Sequence, residues 1–311
     1  MSELEEDLEL RMSITIVGIG RKGVKSVSKM TSCIKNVEFL LVSEDFAEIE
    51  SLGAANRSRI LDSVALDRAV GSDISGCERL REDSLAEAVR DADLVFIVTG
   101  LENQTVADFA VRFVQESRDS GAFTVAVTAG GGYWNREMSR LEGICDFHQL
   151  SSHADSILTL SNDCLVPLHG GIQGIFSESA LADYLVRHAL GQIVQCLMAQ
   201  GIICLDFADI KVILGDGDRT YMGTGLANGP TKGKDALLKA VQGLSRQDLD
   251  ITRANGLLTI VEGSTNMTME DFDEVSRVLV EMISEDLNIL FGCFFDDALG
   301  ENMRVTVFAS F

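Results

Sequence analysis

The first half of this sequence alternates short apolar, β-branched runs with segments whose apolar residues recur at helical spacing. A strand buried on both faces belongs to a parallel sheet, and a helix connects each such strand to the next. The alternation therefore predicts an α/β fold with a doubly wound parallel sheet, whose ligands would bind at the carboxyl ends of the strands. The predicted strands are residues 13–19, 37–42, 93–98, 123–128 and 156–161.

The second half begins with a Pro- and Gly-containing stretch at 166–176, which a long helix follows over about 178–199. Its apolar stripe is broad enough for a largely buried helix that could serve as a spine between two halves. The stripe consists of Leu181, Leu185, Ala189, Ile193 and Leu197, widened by Val186, Leu190 and Val194.

Shorter strands and helices follow the long helix, which favours a smaller α+β domain. The last two apolar runs, "NILFGCFFDD" and "MRVTVFASF", are separated only by "ALGEN" and predict a β-hairpin. The predicted organisation is a loose segment at 1–12, a Rossmann-like nucleotide-binding domain at 13–176, a central helix at 177–200 and a C-terminal domain at 201–311.

Charge and composition limit the classes of partner that this chain is expected to bind. The formal net charge of −22 disfavours non-specific contact with nucleic acid or anionic lipid, which rely on clustered Lys and Arg. No apolar run reaches the roughly 18 to 20 residues that span a bilayer, and no signal peptide opens the sequence, so a cytoplasmic protein is expected. The seven cysteines contain no C-x-x-C pair, and buried free thiols are expected rather than disulfides or zinc ligands.

A glycine motif follows the first strand. Gly18, Gly20 and Gly23 form G-x-G-x-x-G, with Arg21 and Lys22 between the last two glycines. The glycines let backbone amides approach a phosphate at the start of a helix, as in dinucleotide-binding proteins. A tight turn carrying two solvated cations is the alternative, and the motif alone does not decide between them.

Polar residues follow three later strands. Asn103, Gln104 and Thr105 open the helix after residues 93–98, where they either contact a phosphate or cap the helix. Asn135 lies just after the glycine run "AGGG", in a stretch that is either a ligand-contacting loop or a flexible connection. Asn162 follows the strand at 156–161 and is either a ligand contact or part of a turn.

Two carboxylates, Asp206 and Asp209, lie three residues apart at a predicted helix start, in "LDFADIK". They share one helix face and together can polarise an attacking water. The alternative is purely structural, with Asp206 as the N-cap and Asp209 stabilised by the helix dipole.

This motif, together with "YMGTGLANG", "NILFGCFFDD" and "MRVTVFASF", resembles FtsZ, the prokaryotic member of the tubulin superfamily. "DADLVFIVTG" and "GAFTVAVT" are also similar to FtsZ strands, so the resemblance runs from about residue 13 to 311. It implies the tubulin/FtsZ fold, GTP or GDP with Mg²⁺ as ligand, and head-to-tail polymers. In that family a loop below the central helix enters the nucleotide pocket of the next subunit. Asp206 and Asp209 match the family's catalytic acids, while Cys204 replaces an Asn.

The nucleotide half departs from the family. FtsZ has G-G-G-T-G-T-G where residues 102–108 read ENQTVAD, so that only Thr105 is kept. Side chains then stand where backbone would approach phosphate, and ordinary triphosphate binding is expected to be weakened. By the same resemblance Asn135 falls at a sugar contact, and Asn162 and Asp183 match an Asn at the fifth strand end and the Asp that reads guanine.

The leading hypothesis is a divergent FtsZ-like cytoskeletal protein that assembles longitudinally as a homo-oligomer, with weak or altered guanine-nucleotide binding and slow or absent hydrolysis. The alternative is a pseudo-GTPase that copolymerises with or regulates an authentic FtsZ. An NAD-dependent oxidoreductase is a remote third reading, since it rests on the first glycine motif alone. The sequence ends at the final strand, without the terminal peptide by which FtsZ meets membrane adapters, so different partners are expected.

Overall fold

The computed structural model describes residues 12–34, 36–43, 58–62, 79–80, 88–101, 103–130, 147–164, 178–198, 203, 205–217, 219–284 and 287–311. The chain forms two compact units, the first of residues 1–126 and 152–154, the second of residues 127–151 and 155–311. The predicted loose segment at 1–12 falls almost wholly outside the described residues. The division at 126/127 lies inside a strand, and the domain boundaries read from the sequence stay predictions.

The first unit contains a parallel sheet. Its strands pair in the order β4-β3-β2-β1-β5, and β1 and β5 are buried along their whole length, as the apolar runs predict. Helices follow β1 and β5 directly. The elements are β1 (Ile14–Ile19), α1 (Gly20–Ser28), β2 (Glu38–Ser43), β3 (Ser58–Asp62), β4 (Arg79–Leu80), β5 (Leu94–Thr99), α2 (Gln104–Asp119) and β6 (Phe123–Gly130), the last of which runs into the second unit.

The second unit contains a mixed sheet in the order β10-β9-β11-β8-β7. β11 is antiparallel to both of its neighbours, whereas β7 with β8 and β9 with β10 are parallel. Its elements are β7 (Ser156–Ser161), α4 (Glu178–Met198), α5 (Phe207–Gly215), β8 (Arg219–Ala227), α6 (Lys232–Ser245), β9 (Gly256–Gly263), α7 (Met269–Met282), β10 (Asn288–Phe295) and β11 (Met303–Ser310); α3 (Phe147–His153) spans the division between the units. The predicted α/β class and the α+β character of the second half are confirmed.

The predicted hairpin of β10 and β11 is wrong, because β9 lies between the two strands. β9 is buried along its whole length and pairs on both sides. The connection 296–302 crosses the end of β9, where the Asp296 N–H donates to the Gly263 carbonyl at 2.8 Å and the Ser264 hydroxyl donates to the Gly300 carbonyl at 2.6 Å. A short connection thus joins two strands that are not neighbours.

The long helix α4 is confirmed within one residue of its predicted end. Most of its predicted apolar stripe is buried, and Leu197 is half-buried. Among the described helices, none has both the length and the hydropathy needed to cross a bilayer. Cys164, Cys196 and Cys293 are buried free thiols as expected, whereas Cys33 is exposed.

A buried polar cluster lies where α4 faces the second sheet. His188 Nε2 lies 3.2 Å from Thr306 Oγ1, and that hydroxyl lies 3.0 Å from Thr224 Oγ1. Burial, together with the nearby Arg304 and Arg187, lowers the pKa of His188 to about 3, so the ring is neutral near pH 7.

The same cluster contains an ion pair between neighbouring strands. Arg304 Nη1 of β11 lies 3.3 Å from Glu262 Oε2 of β9, and only 3% of the Glu262 side chain is exposed. Burial raises the pKa of Glu262, while Arg304 and a hydrogen bond from Gln192 of α4 oppose that rise. Helix and sheet are therefore joined by specific polar contacts as well as by apolar packing.

Candidate functional site

The first glycine motif packs α1 against the sheet. A Cβ on Gly23 would lie 2.2 Å from the Val98 carbonyl oxygen, and one on Gly18 would lie 2.7 Å from the Gly23 carbonyl oxygen. Gly20 has φ of 72°, a conformation that favours glycine, and α1 begins at this residue. All three glycines are thus required by the tight strand-to-helix turn, with or without a ligand.

Arg21 and Lys22 are exposed at the start of α1. The aliphatic stem of Lys22 lies over the glycine that follows β5, since a Cβ on Gly100 would come within 2.6 Å of Lys22 Cδ. The start of α1 therefore presents two cations at the carboxyl edge of the first sheet, where the helix dipole adds partial positive charge.

The loop after β5 is closed by its own side chains. Asn103 is the N-cap of α2, and its Oδ1 accepts the Val106 N–H at 2.9 Å. The Gln104 side-chain amide donates to Asp108 Oδ1 at 2.7 Å, and Thr105 is exposed. Leu101 adopts φ of 48°, where a glycine would be unstrained. The capping interpretation of this loop is borne out, and at least one amide at the helix start already has a partner.

A small open cleft lies between the first glycine motif and α2. It encloses a volume of about 10 Å³, far less than the roughly 300–1,000 Å³ of common ligand pockets. Gly20 and Thr105 thus line one cleft in the first unit. Its lining residues are Ile19, Gly20, Val42, Ser43, Thr105, Val106 and Phe109.

In the second unit, two polar side chains end neighbouring strands without a partner among the described residues. Asn162 Oδ1 follows β7, and Thr128 Oγ1 lies near the end of β6; both atoms are buried. An unpaired buried oxygen is costly, so these positions favour a polar ligand or ordered water. Thr128 was not singled out from the sequence, where it ends an ordinary apolar strand, although its place at the carboxyl end of a strand was a usable signal.

Asp183 lies on α4 and is buried, with 7% of its surface exposed. α4, which carries Asp183, contacts the 3-10 turn Asn162–Cys164, and both elements belong to the second unit. Arg246 of α6 supports this turn, with its Nη2 3.9 Å from Asp163 Oδ1. The predicted sugar contact Asn135 lies outside the described residues.

The carboxylates of "LDFADIK" lie at the start of α5, as predicted. Asp206 is the N-cap and its Oδ1 accepts the Asp209 N–H at 2.8 Å. Asp206 is exposed and Asp209 half-buried. Within the described part of the chain, no Lys or Arg forms an ion pair with either carboxylate, and Lys211 instead lies 4.2 Å from the centre of the Phe207 ring.

Residues 218–310, which comprise almost the whole second sheet except β7, match the family model of the FtsZ family, C-terminal domain. The cell division protein FtsZ of Azotobacter vinelandii is 26% identical over 317 residues, covering 100% of this chain and 80% of that protein. The chain is therefore similar to the FtsZ/tubulin superfamily, and its residues 218–310 match the C-terminal domain of the FtsZ family. The resemblance first drawn from short motifs therefore extends over the whole chain.

Solved structures of this superfamily share the fold. An empty FtsZ dimer of M. jannaschii has a TM-score of 0.78 at 24% identity, covering 96% of this chain and 88% of that one. CetZ from Methanosaeta thermophila has a TM-score of 0.66 at 14% identity, covering 96% and 86%. At these identities the likeness concerns the fold alone.

Proposed function

We propose that this chain is a divergent FtsZ-like cytoskeletal protein that assembles head to tail, with weak or altered guanine-nucleotide binding and slow or absent GTP hydrolysis. The observation that carries the proposal is an asymmetry between two helix starts. The start of α5 keeps a pair of acids, the exposed Asp206 and the half-buried Asp209, whereas the start of α2 has a side-chain cap in place of a glycine cradle.

Phosphate binding is altered because a triphosphate would compete with the chain's own contacts. The Asn103 cap occupies the Val106 amide, and no glycine lies at residues 101–108. Arg21 and Lys22 offer full charges instead of backbone amides, and charged donors make the stronger hydrogen bonds to phosphate. We therefore expect a weakened anion site at the start of α1, with the Thr105 hydroxyl as a further donor.

Binding of the guanine and ribose of the nucleotide has stronger support than binding of its phosphates. The buried oxygens of Asn162 and Thr128 lack described partners and suit a ligand that carries hydrogen-bond donors, as guanine and ribose do. Asp183, on the helix that contacts the Asn162 turn, is an acceptor of the kind that reads the guanine edge. GTP with Mg²⁺ would supply the phosphoryl group, while Asp206 and Asp209 would orient and polarise water for a neighbouring copy's nucleotide.

Isothermal titration of the nucleotide-stripped protein with GTP and with GDP, each with Mg²⁺, tests this proposal. Binding weaker than about 10 µM but measurable is expected, corresponding to less than about 7 kcal/mol. Asn162→Ala should weaken binding of both nucleotides, whereas Lys25→Ala, on the far turn of α1, should not. Silence with about 1 mM ligand would refute nucleotide binding, and monomers in every condition would refute assembly.

A second function, a pseudo-GTPase partner of an authentic FtsZ, is favoured by the exposure of Asp206, which leaves this carboxylate available to another protein's nucleotide. Mixing this chain with an authentic FtsZ tests it. A change in GTP turnover that Asp206→Ala abolishes is expected, and unchanged turnover and filament length would rule it out.

A further inference from the structure

The 3-10 turn that carries Asn162 packs against the end of helix α6. Cys164, the last residue of this turn, is fully buried. A Cβ on Gly243 of α6 would lie 2.4 Å from the Cys164 carbonyl oxygen, so a glycine is needed for the helix to approach the backbone of the turn this closely. Both elements belong to the second unit. Because their backbones are in contact, the position of the turn depends on the position of the end of α6.

Two side chains at the end of α6 reach its neighbours. Gln247 donates from Nε2 to the Met222 carbonyl of β8 at 3.0 Å and to the Gly243 carbonyl at 2.9 Å. Arg246 is the C-cap residue of α6, and its Nη2 lies 3.9 Å from Asp163 Oδ1 in the turn. The end of α6 is therefore bound both to the second sheet and to the turn.

The turn presents a side chain that must be placed accurately to meet a ligand. Asn162 Oδ1 is buried without a partner among the described residues, and a hydrogen bond to it requires a donor placed within about 0.5 Å. Asp163 is the next residue, and its N–H donates to Ser161 Oγ at 3.2 Å, so a shift of Asp163 displaces Asn162 as well. The Arg246 and Asp163 side chains are 39% and 27% exposed, and such a pair adds little to stability. Its expected contribution is to the orientation of the turn.

We propose that Arg246 is a positioning residue for the guanosine part of the ligand: through its ion pair with Asp163 it holds the turn where Asn162 Oδ1 meets a donor of the ligand. This inference rests on the nucleotide binding proposed above. Arg246 acts through Asp163 and not through contact with the ligand. Because coupling between two sites is reciprocal, a ligand bound at Asn162 also stabilises the end of α6.

Calorimetric titration of the full-length, nucleotide-stripped protein with GDP and Mg²⁺ tests this role in a double-mutant cycle. Arg246→Ala and Asp163→Ala should each weaken GDP binding about three- to fivefold, the upper range for a partly exposed ion pair. The double Ala variant should bind no more weakly than either single variant, because both changes remove the same interaction. Arg246→Lys, and Arg246→Asp combined with Asp163→Arg, should each bind within about twofold of the wild type, because each keeps opposite charges at the two positions.

The matched control is Arg277→Ala, which removes one side of the exposed Arg277–Glu281 pair on α7 and should leave GDP binding within about twofold of the wild type. Urea midpoints of all these variants should stay close to that of the wild type, whereas a merely structural role of Arg246 would move the midpoint and leave the affinity unchanged. Hydrogen exchange provides a second readout. GDP should slow amide exchange at 242–247 in the wild type but not in Asp163→Ala.

Three outcomes would overturn the inference. If Arg246→Ala bound GDP as the wild type does, the positioning role would fail while the proposed function stayed in place. The same holds if the reversed pair bound as weakly as the single variants, because Asp163 would then act by direct contact with the ligand. A wild type that gave no heat with about 1 mM GDP would remove both nucleotide binding and the positioning role.

Discussion

Removing Glu262 is expected to destabilise the second unit by about 3 kcal/mol, because it leaves a largely buried guanidinium without its carboxylate. Breaking a buried ion pair from one side costs about 3–5 kcal/mol. Arg304 keeps 22% of its side chain exposed, so solvent screens part of the loss and the lower end applies. Gln192, which hydrogen-bonds Glu262, loses a partner as well.

Equilibrium urea unfolding followed by circular dichroism measures the effect of Glu262→Ala. The matched control is Glu281→Ala, which removes one side of the exposed Arg277–Glu281 pair on α7 and should change the free energy of unfolding by less than about 0.5 kcal/mol. Converting both Glu262 and Arg304 to Met should recover most of the loss, since apolar replacements of a buried pair are often neutral or stabilising.

The reasoning would be refuted if Glu262→Ala stayed within about 1 kcal/mol of the wild type. It would also fail if the double Met variant were no more stable than Glu262→Ala, because the cost would then come from lost packing rather than from an unpaired charge. Both comparisons use the same unfolding signal and need no assumption about ligand binding.

Asn103→Ala should lower the free energy of unfolding by about 1 kcal/mol through loss of the α2 cap, whereas Asn103→Ser should keep most of it; equal values for the two would contradict the cap. Gly243→Ala should cost about 1–3 kcal/mol in urea unfolding, because its Cβ would lie 2.4 Å from the Cys164 carbonyl oxygen; no loss would mean that α6 moves freely. The folded-state pKa of His188 is lowered to about 3. The contribution of the neutral ring to the free energy of unfolding is therefore fully present above pH 6.5 and is lost as pH falls toward 3. Between pH 6.5 and 3 the free energy of unfolding of His188→Gln should therefore fall by up to about 1.4 kcal/mol less per pH unit than that of the wild type. Parallel curves of unfolding free energy against pH for the two proteins would contradict a neutral His188.

The sequence predicts most of the fold because strand burial and helix periodicity leave strong patterns. β1, β5 and α4 lie where those patterns place them. The order of the last strands is not predictable in this way, since a short connection suggests a hairpin whether or not another strand is inserted. The hydrogen bond from the Asp296 N–H to Gly263 at the end of β9, which decides the path, has no sequence signature.

The candidate site was predictable in its residue types but less so in its contacts. Asp206 and Asp209 lie at a helix start because the N-cap pattern is local in sequence. A polar cap at the start of α2 was predictable for the same reason, and the structure shows that the capping residue is Asn103. The polar contacts of His188 and Glu262 were not predicted, because the partners of each residue come from other elements that only tertiary packing brings near.

The position of β11 has a consequence for synthesis of the chain. β11 is synthesised after β8 and β9, yet it lies between them in the sheet. β8 and β9 therefore cannot be joined through β11 until residues 303–310 have left the ribosome. Until then the nascent second unit carries two strands with open edges, the kind of surface that pairs with other chains. Insertion of β11 is a non-local step, and the interval before it is the time when these edges are open to pairing with other chains.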